Sequence, residues 1–422
     1  MIERLRFLEK AQWWSKESIF NYRDSALREL ITVAYEEVPF YHRLMDAASV
    51  KSSDIRTLDD LCKIPVVTKD MLRLGYPHLT TRDTGQKTHE SYTSGSTGKN
   101  FCVRLDEQTV GRYRASFLLA LGWAGWHLGE PHVQTGITLN RNAERKLKDW
   151  LLRCHYISAT HLDDRSLDTT LDLIEKYSIK HLWGFPGSLY FLSLRAIENG
   201  WNRPLRSIVT WGDNLLPYYR IIIEKAFRTR VHDTYGCQEG MQIAAQCGHG
   251  DHYHIHSLDV IVEYLDDEGK PVAPGEPGSL ILTRLHPGPM PLIRYQVGDI
   301  GVSNNGVPCV CGRGFELLQS IQGRDTDIVI TPTGNRLIVH FFTGVLEHFT
   351  EVDTFQVIQE DLESIVLRIV PTRTFSEETA GAIVAALKQQ GTGDLVINVE
   401  CVQEIPFTPG GKRRFIISTL NG

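Results

Sequence analysis

A glycine-, serine- and threonine-rich segment at residues 91–100 has the composition of a loop that binds oxyanions. Backbone N–H groups and hydroxyls in such a loop can point at negative charge, and Lys99 adds a positive charge. The segment differs from a Walker A loop, G-x-x-x-x-G-K-[ST], because Thr93 and Asn100 occupy two of its defining positions. It therefore predicts a phosphate-binding loop of another kind, with an ordinary surface loop as the alternative.

Later segments carry residue types that could complete a nucleotide site. Tyr235 and Gly236 precede Glu239, so an aromatic ring that can stack on a base lies near a carboxylate of the kind that Mg²⁺ prefers. Asp299 follows a glycine where a strand is expected to end, and it could accept hydrogen bonds from ribose hydroxyls. Lys412 lies on a glycine-rich loop that could move into a site. Taken singly, each residue is also typical of a turn or a solvated surface.

The pattern of apolar residues predicts how these segments are arranged along the chain. Helical spacing dominates residues 1–80, and helical and strand-like runs alternate over 130–240, which favours an α/β sheet domain. Residues 258–300 are β-rich, and the turn at 266–269 between the strand-like runs 260–265 and 279–283 predicts a hairpin. A helix over 17–36 is predicted to end at Val38-Pro39, and another helix is predicted over 376–390. We predict a large N-terminal α/β domain at 1–322, with a β-rich subdomain, and a small mobile α+β domain at 323–422.

In this order, the four segments resemble those of the adenylate-forming superfamily of acyl-CoA synthetases, adenylation domains and luciferases. The whole chain is more closely similar to its phenylacetate–coenzyme A ligase and capsule-cluster branch. The motifs that carry the closer resemblance are Val38-Pro39-Phe40-Tyr41, Ile64-Pro65-Val66-Val67-Thr68-Lys69, Met290-Pro291-Leu292-Ile293-Arg294-Tyr295 and Cys309-Val310-Cys311-Gly312-Arg313-Gly314.

The resemblance implies a role for each motif residue. The residues implied to hold the nucleotide are Thr93, Ser94, Gly95, Ser96, Thr97, Gly98 and Lys99 at the β,γ-phosphates, Gly212, Asp213 and Tyr235 around the adenine, and Asp299 at the ribose. The residues implied around the acyl group are Trp183, Phe185, Trp211 and Gly236. The implied catalytic residues are Glu239 as the Mg²⁺ ligand, Arg324 at the ribose and interdomain junction, and Lys412 between the substrate carboxylate and the α-phosphate.

The implied reaction has two steps. A small carboxylic acid attacks the α-phosphate of ATP to give acyl-AMP and pyrophosphate, and a thiol such as that of coenzyme A then takes the acyl group. Because both reactants of the first step are anionic, catalysis rests on positioning and on positive charge. Trp183, Phe185, Trp211 and Tyr235 favour a flat acid such as an aryl or arylacetic acid, although each could equally be a core residue.

The chain departs from the family pattern at two positions. Val297 stands where the family often has Thr before Gly-Asp, which removes a hydroxyl near the nucleotide. Thr326 stands at the first Asp of the hinge motif Gly-Arg-x-Asp-Asp, and its hydroxyl cannot replace a carboxylate.

Cysteine and histidine residues in the β-rich part predict a structural zinc site. Thiolates and an imidazole suit tetrahedral Zn²⁺, and the family register points to Cys247, His254, Cys309 and Cys311. The rival histidine ligands are His249, His252 and His256. The alternative is that the cysteines are reduced and pack as small apolar side chains.

Composition limits the function classes and the compartment. The net charge of −6 disfavours nucleic acid as a partner. Charges interrupt the first residues, and no apolar run reaches about 18 residues, so we expect no signal peptide, no membrane span and a cytoplasmic protein. The acceptor could also be a carrier-protein phosphopantetheine or an amine. Two other interpretations are a kinase-like phosphoryl transferase, disfavoured by the missing Walker pattern, and a nucleotide-binding protein without catalysis.

Overall fold

The structure is a computed structural model that describes residues 1–93, 101–136, 141–159, 162–322, 329–337, 339–346, 348–393, 395–406 and 414–420. Its α-helices are α1 (Ile2–Ala11), α2 (Lys16–Glu37), α3 (Pro39–Ala47), α4 (Lys69–Gly75), α5 (Glu107–Trp123), α6 (Ala143–Leu151), α7 (Asp164–Lys176), α8 (Pro186–Glu198), α9 (Pro217–Phe227), α10 (Val339–Leu346) and α11 (Glu377–Leu387). Short 3₁₀ helices span Ser52–Asp54 and Leu58–Lys63.

Strands make up the rest of the regular structure. They are β1 (Thr88–Thr93), β2 (Phe101–Asp106), β3 (His132–Gly136), β4 (Cys154–Ser158), β5 (His181–Gly184), β6 (Ser207–Thr210), β7 (Val231–Cys237), β8 (Met241–Gln246), β9 (Tyr253–Ile255), β10 (Val260–Leu265), β11 (Pro277–Arg284), β12 (Tyr295–Ser303), β13 (Leu317–Gln322), β14 (Val329–Ile330), β15 (Arg336–Leu337), β16 (Val352–Gln359), β17 (Ser364–Pro371), β18 (Val396–Cys401) and β19 (Ile416–Ser418).

The first compact unit comprises the described residues of 1–93, 101–123 and 234–323. Its strands run antiparallel in the order β10-β11-β12-β13-β9-β8-β7, and β1 pairs with β2. The predicted hairpin between residues 260–265 and 279–283 is confirmed, because Val260 pairs with Arg284 and Leu265 with Ser279. The core of this unit joins α2 and α3 to the sheet, and Pro39 ends α2 and begins α3.

The second unit comprises the described residues of 124–233 and 324–422. Its first part has parallel strands in the order β7-β6-β5-β3-β4, so the α/β alternation predicted there is confirmed. β7 begins in this unit and ends in the first. Apolar faces of α7, α8 and α9 form the core with the strands, and Asp163 caps α7 by accepting a hydrogen bond from Ser166 N at 3.0 Å.

The C-terminal part of the second unit has its own apolar core, built from residues between Val329 and Ile416. Its sheet has the order β18-β17-β16-β19. The helix predicted over residues 376–390 is confirmed, because α11 continues directly into a π-helical turn over Lys388–Thr392, in which Gly391 has a φ of 149°. The boundary predicted at residues 322 and 323 stays a prediction. None of the described helices is long and apolar enough to cross a membrane.

Candidate functional site

A buried carboxylate lies in the turn between β7 and β8. Glu239 is only 2% exposed, and its Oε1 accepts a hydrogen bond from the Tyr295 hydroxyl at 2.7 Å. The ammonium of Lys69 lies 3.7 Å from the same oxygen. Burial, and next the charge of Glu239, raise the pKa of Tyr295 well above its ordinary value, so this phenol stays protonated and donates.

The backbone explains why Lys69 and Tyr295, which are far apart in sequence, meet at this carboxylate. Lys69 is the first residue of α4, which Thr68 caps by accepting a hydrogen bond from Met71 N at 3.3 Å. Just before this cap, Val67 N donates to Arg294 O at 2.8 Å and Val67 O accepts from Gln296 N at 2.9 Å. These bonds fix the start of α4 beside the first residues of β12.

A second pair of residues lies in the same unit. The Tyr235 hydroxyl donates to Asp299 Oδ2 at 2.8 Å, so two predicted nucleotide residues are brought together. Burial, and next Asp299, raise the pKa of Tyr235 well above its ordinary value, which keeps the phenol a donor. Gly298 precedes Asp299 at a φ of 94°, a conformation that glycine adopts without steric cost. The arrangement fixes the orientation of the Asp299 carboxylate.

Sequence reasoning assigned no role to Lys69 or Tyr295, although both end motifs that carry the family resemblance. Two signals could have found them. Thr68 before Lys69 is a typical helix cap, which places the lysine at a fixed helix start. Tyr295 follows the apolar residues Met290, Leu292 and Ile293, a setting in which a phenol is expected to be buried and to need a hydrogen-bond partner.

The residues predicted around the adenine and acyl group belong mainly to the second unit. Trp183 is 5% exposed, and its ring stacks on His132 at 3.8 Å and meets Trp126 edge-on at 4.8 Å. Phe185 lies in the apolar core under α8. These are the contacts of core residues, the alternative left open by the sequence. A role for Trp183 and Phe185 in substrate binding stays a prediction.

The loop that follows β6 is less buried than Trp183 and Phe185. Trp211 is partly buried on the core of the second unit, and its backbone N–H donates to Gly184 O at 3.2 Å. Gly212 follows at a φ of 79° and is exposed. Asp213 accepts a hydrogen bond from Asn214 N at 2.8 Å. The loop therefore presents backbone and a carboxylate after a parallel strand, the usual ligand-binding edge of such sheets.

Several predicted site residues lie outside the described part of the chain. They are Ser94, Gly95, Ser96, Thr97, Gly98, Lys99, Arg324 and Lys412, together with the hinge residue Thr326. Thr93 is the last residue of β1. Val297 is 5% exposed and packs in the core of the first unit, so its position needs an apolar side chain there.

The predicted zinc ligands also come together in the first unit. One ligand atom from each of Cys247, His252, His254 and Cys309 lies within 4.8 Å of the other three. The sulfurs of Cys247 and Cys309 are 3.6 Å apart, and Cys311 Sγ lies 3.3 Å from His254 Nε2. Ligand sulfurs about 2.3 Å from a tetrahedral Zn²⁺ are about 3.8 Å apart, so the donor set fits this metal.

Two residues compete to be the fourth zinc ligand beside Cys247, His254 and Cys309. His252, a rival in the sequence, places a ligand atom within reach of all three, and Cys311 contacts His254, Cys247 and Cys309. Burial raises the pKa of Cys247 and Cys309, the latter to about 12, so in the absence of a metal both would be thiols. A bound zinc stays a prediction.

Comparison with known proteins adds a family context to this geometry. The CapK C-terminal domain family matches residues 329–419. Protein CapK of Staphylococcus aureus is 23% identical over 416 residues, covering 95% of this chain and 90% of that protein. The chain is similar to CapK along nearly its whole length and to phenylacetate–coenzyme A ligases along most of it. A phenylacetate–coenzyme A ligase of Thermus thermophilus is 25% identical over 333 residues, covering 75% of this chain and 72% of the relative.

Solved structures agree on the fold of this chain. A 2-hydroxyisobutyryl-CoA ligase, solved with 2-HIB-AMP and CoA, superposes with a TM-score of 0.64 at 18% identity, covering 94% of this chain and 89% of that one. The chain thus has the adenylate-forming ligase fold, with the CapK C-terminal domain after a larger N-terminal part. The resemblance derived from the sequence motifs is confirmed.

Proposed function

We propose that this chain is an AMP-forming acid–thiol ligase, which converts a small carboxylic acid to acyl-AMP and then to a coenzyme A thioester. The observation that carries the proposal is the buried Glu239 carboxylate, held by Tyr295 and Lys69 in a chain with this fold. Relatives named as phenylacetate–coenzyme A ligases support the reaction class.

In the first half-reaction, the described residues would act by orientation. Asp299 would accept hydrogen bonds from the ribose hydroxyls, and the bond from Tyr235 would hold its carboxylate in one direction. This preorganisation reduces what must be ordered when ATP binds. Thr93 to Lys99 would bind the β,γ-phosphates, and Lys412 would neutralise charge between the carboxylate and the α-phosphate, as the resemblance implies.

Glu239 would hold Mg²⁺, because a carboxylate oxygen is the ligand type that this ion prefers. The ion would neutralise charge that develops on the phosphates as pyrophosphate leaves. The Glu239 carboxylate already faces the ammonium of Lys69 and the hydroxyl of Tyr295. Mg²⁺ at Glu239 would therefore share this carboxylate with Lys69, which makes Lys69 a positioning residue for the metal ligand.

The acid is proposed to be flat and apolar, such as an aryl or arylacetic acid. Trp211 and Tyr235 are kept as proposed aromatic contacts of the acid, whereas Trp183 and Phe185 pack in the core of the second unit. The Cys/His cluster is proposed to hold one structural Zn²⁺ ion, which would join the loop after β8 to the loop before β13.

Acid-dependent exchange of labelled pyrophosphate into ATP tests the first half-reaction. We expect exchange with aryl or arylacetic acids in the presence of Mg²⁺, and AMP with thioester when coenzyme A is added. Fatty and amino acids serve as the comparison panel. Thioester formation only with a carrier protein, or amide formation with an amine, would replace coenzyme A as the acceptor. ADP as the product, or no AMP with any acid and acceptor, would overturn the proposal.

Lys412→Ala separates the two half-reactions. Because the lysine is proposed to act only on the α-phosphate, the variant should lose pyrophosphate exchange yet still convert supplied acyl-AMP and coenzyme A to thioester. Lys388→Ala, at the end of α11, is a control variant that should retain both. Equal loss of both half-reactions in Lys412→Ala would contradict the assigned role.

A further inference from the structure

A small cavity in the first unit is lined by charged side chains that the proposed function does not use. Arg112, Asp259, Arg284 and His286 contribute to its wall, together with Thr109 near the start of α5. Its volume is about 20 Å³. Since about 10–15 Å³ suffices for one water molecule, the cavity admits a water or a halide ion.

Arg284 enters this cavity as a buried cation whose hydrogen bonds go to neutral oxygens. Its Nε donates to His286 O at 3.3 Å, one terminal nitrogen donates to Glu239 O at 2.7 Å, and the other donates to Met290 O. No ion pair joins it to a carboxylate within the part of the chain that the structure describes. A guanidinium has five N–H groups, so these three bonds leave two donors. Burial lowers its pKa to about 10, and it remains charged at neutral pH.

The space beside the guanidinium is kept open by two glycines. A Cβ on Gly240 would lie 3.3 Å from one terminal nitrogen of Arg284, and a Cβ on Gly288 would lie 3.4 Å from the other and 2.7 Å from Thr109 Oγ1. Thr109 Oγ1 and His286 Nε2 are buried without a hydrogen-bond partner in the described residues. Burial lowers the pKa of His286 to about 4, so this ring is neutral at pH 7.

The charges around the cavity do not balance. Asp259 is bound by Arg4 at 2.6 Å and by Arg112 at 3.3 Å, and Asp106 accepts a hydrogen bond at 2.7 Å from the backbone at the start of α5. Of the side chains that line the cavity, Arg112 and Arg284 are cationic and Asp259 is anionic, which leaves an excess of one positive charge among them. A buried charge without a counter-ion is costly, and water supplies hydrogen bonds but no charge.

We propose that this cavity binds one halide ion, chloride under physiological conditions, between the Arg284 guanidinium, the Thr109 hydroxyl and the His286 ring. One monovalent anion balances the excess charge, takes the free donors of Arg284 and Thr109, and fits the volume. The site stands apart from the proposed ligase reaction, because it rests on none of the residues assigned to ATP or the acid.

Thermal unfolding of the full-length protein in sodium chloride, bromide or gluconate at constant ionic strength tests the site. The midpoint should rise and saturate with either halide, and gluconate, which is too large for the cavity, should not replace them. Thr109→Val removes the hydroxyl at constant shape and should weaken halide binding about tenfold. Thr80→Val is the matched control, because Thr80 Oγ1 is also buried without a described partner but lies outside the cavity. It should leave the halide response unchanged.

A bromide-soaked crystal gives a second, direct measurement. An anomalous peak in hydrogen-bond contact with Arg284 and Thr109 is expected, and Gly288→Ala, which fills the space beside both, should remove it. Should Gly288→Ala fail to fold at its φ of 52°, the isosteric Thr109→Val still tests the site. Water alone at the position, or an equal halide response in wild type and Thr109→Val, would overturn the proposal.

Discussion

The buried ion pair of Lys69 and Glu239 allows a quantitative test of how the first unit holds its carboxylate. The side chains are 14% and 3% exposed, and Lys69 Nζ lies 3.7 Å from Glu239 Oε1. At an effective dielectric constant of about 20, this separation corresponds to about 4.5 kcal/mol of attraction. Removing Lys69 alone would leave a buried carboxylate whose described side-chain donors, the Tyr295 hydroxyl and the Cys237 thiol, are uncharged. We therefore expect Lys69→Met to cost about 3 kcal/mol of stability.

Neutralising the partner should recover most of this loss. Glu239→Gln removes the charge and keeps an oxygen that can accept the Tyr295 hydrogen bond, so the double variant Lys69→Met/Glu239→Gln should cost about 1 kcal/mol. The coupling free energy between the two positions would then be about 2 kcal/mol or more. Lys63→Met is the matched control, because Lys63 pairs with Asp60 on the surface and such pairs contribute under about 1 kcal/mol.

Native-state hydrogen exchange is the suitable assay, since a chain of two compact units need not unfold in one step. Amides of α4 and β12 report on the elements that carry Lys69 and Tyr295. Protection there should fall in Lys69→Met and return in the double variant. A loss no larger than that of Lys63→Met, or a double variant whose loss equals the sum of the single ones, would refute the reasoning.

Three further expectations follow from other contacts. Purified protein should contain one zinc ion per chain. The ion should be lost in Cys309→Ser and kept in the control Cys401→Ser, because the Cys401 thiol is exposed. Zinc well below one per chain, together with a stability that a chelator does not change, would contradict this. Tyr235→Phe should raise the KM for ATP in pyrophosphate exchange about tenfold, because the bond to Asp299 is lost, whereas Tyr264→Phe, whose buried hydroxyl has no described partner, should not. Burial lowers the pKa of His132 to about 4. Between about pH 6.5 and pH 4 this histidine is therefore protonated in the unfolded chain and neutral in the folded chain. The free energy of unfolding should fall by up to about 3 kcal/mol as the pH drops through this range. His132→Phe keeps the stack on Trp183 and should reduce the difference between the urea unfolding midpoints at pH 7 and pH 4.5. A difference equal to that of the wild type would count against this assignment.

Local patterns predicted the fold well where one element follows from nearby residues. The Val38-Pro39 step predicted the end of α2, and the run before Asp266 predicted the β10–β11 hairpin. The helix predicted over residues 376–390 agrees with α11 and the π-helical turn that follows it, whereas the π geometry of that turn was not predicted. The order of the motifs along the chain was enough to predict the superfamily fold, which the 2-hydroxyisobutyryl-CoA ligase shares.

The candidate site was predicted less completely, because its contacts join residues that are distant in sequence. The aromatic types of Trp183 and Phe185 suggested a substrate pocket, yet the stack on His132 and the packing under α8 depend on neighbours that a single sequence does not show. His252 was one of several possible zinc ligands until the fold brought it to Cys247. Chemistry can be read from residue types, whereas pairing requires the fold.

Contacts between residues that are distant in sequence fix both the main chain and the side chain of Glu239. Its main-chain carbonyl accepts a hydrogen bond from Arg284, and its carboxylate is held by Tyr295 and Lys69, so both ends of the residue are fixed by separate elements. A carboxylate held in this way does not need to be ordered when its cation arrives, which is the condition for effective charge stabilisation. Because Arg284 also lines the halide cavity, an anion there would strengthen the anchor of the main chain without touching the carboxylate. Halide occupancy is therefore expected to change the protection of the Met241 amide, which follows this turn, more than that of amides in α4.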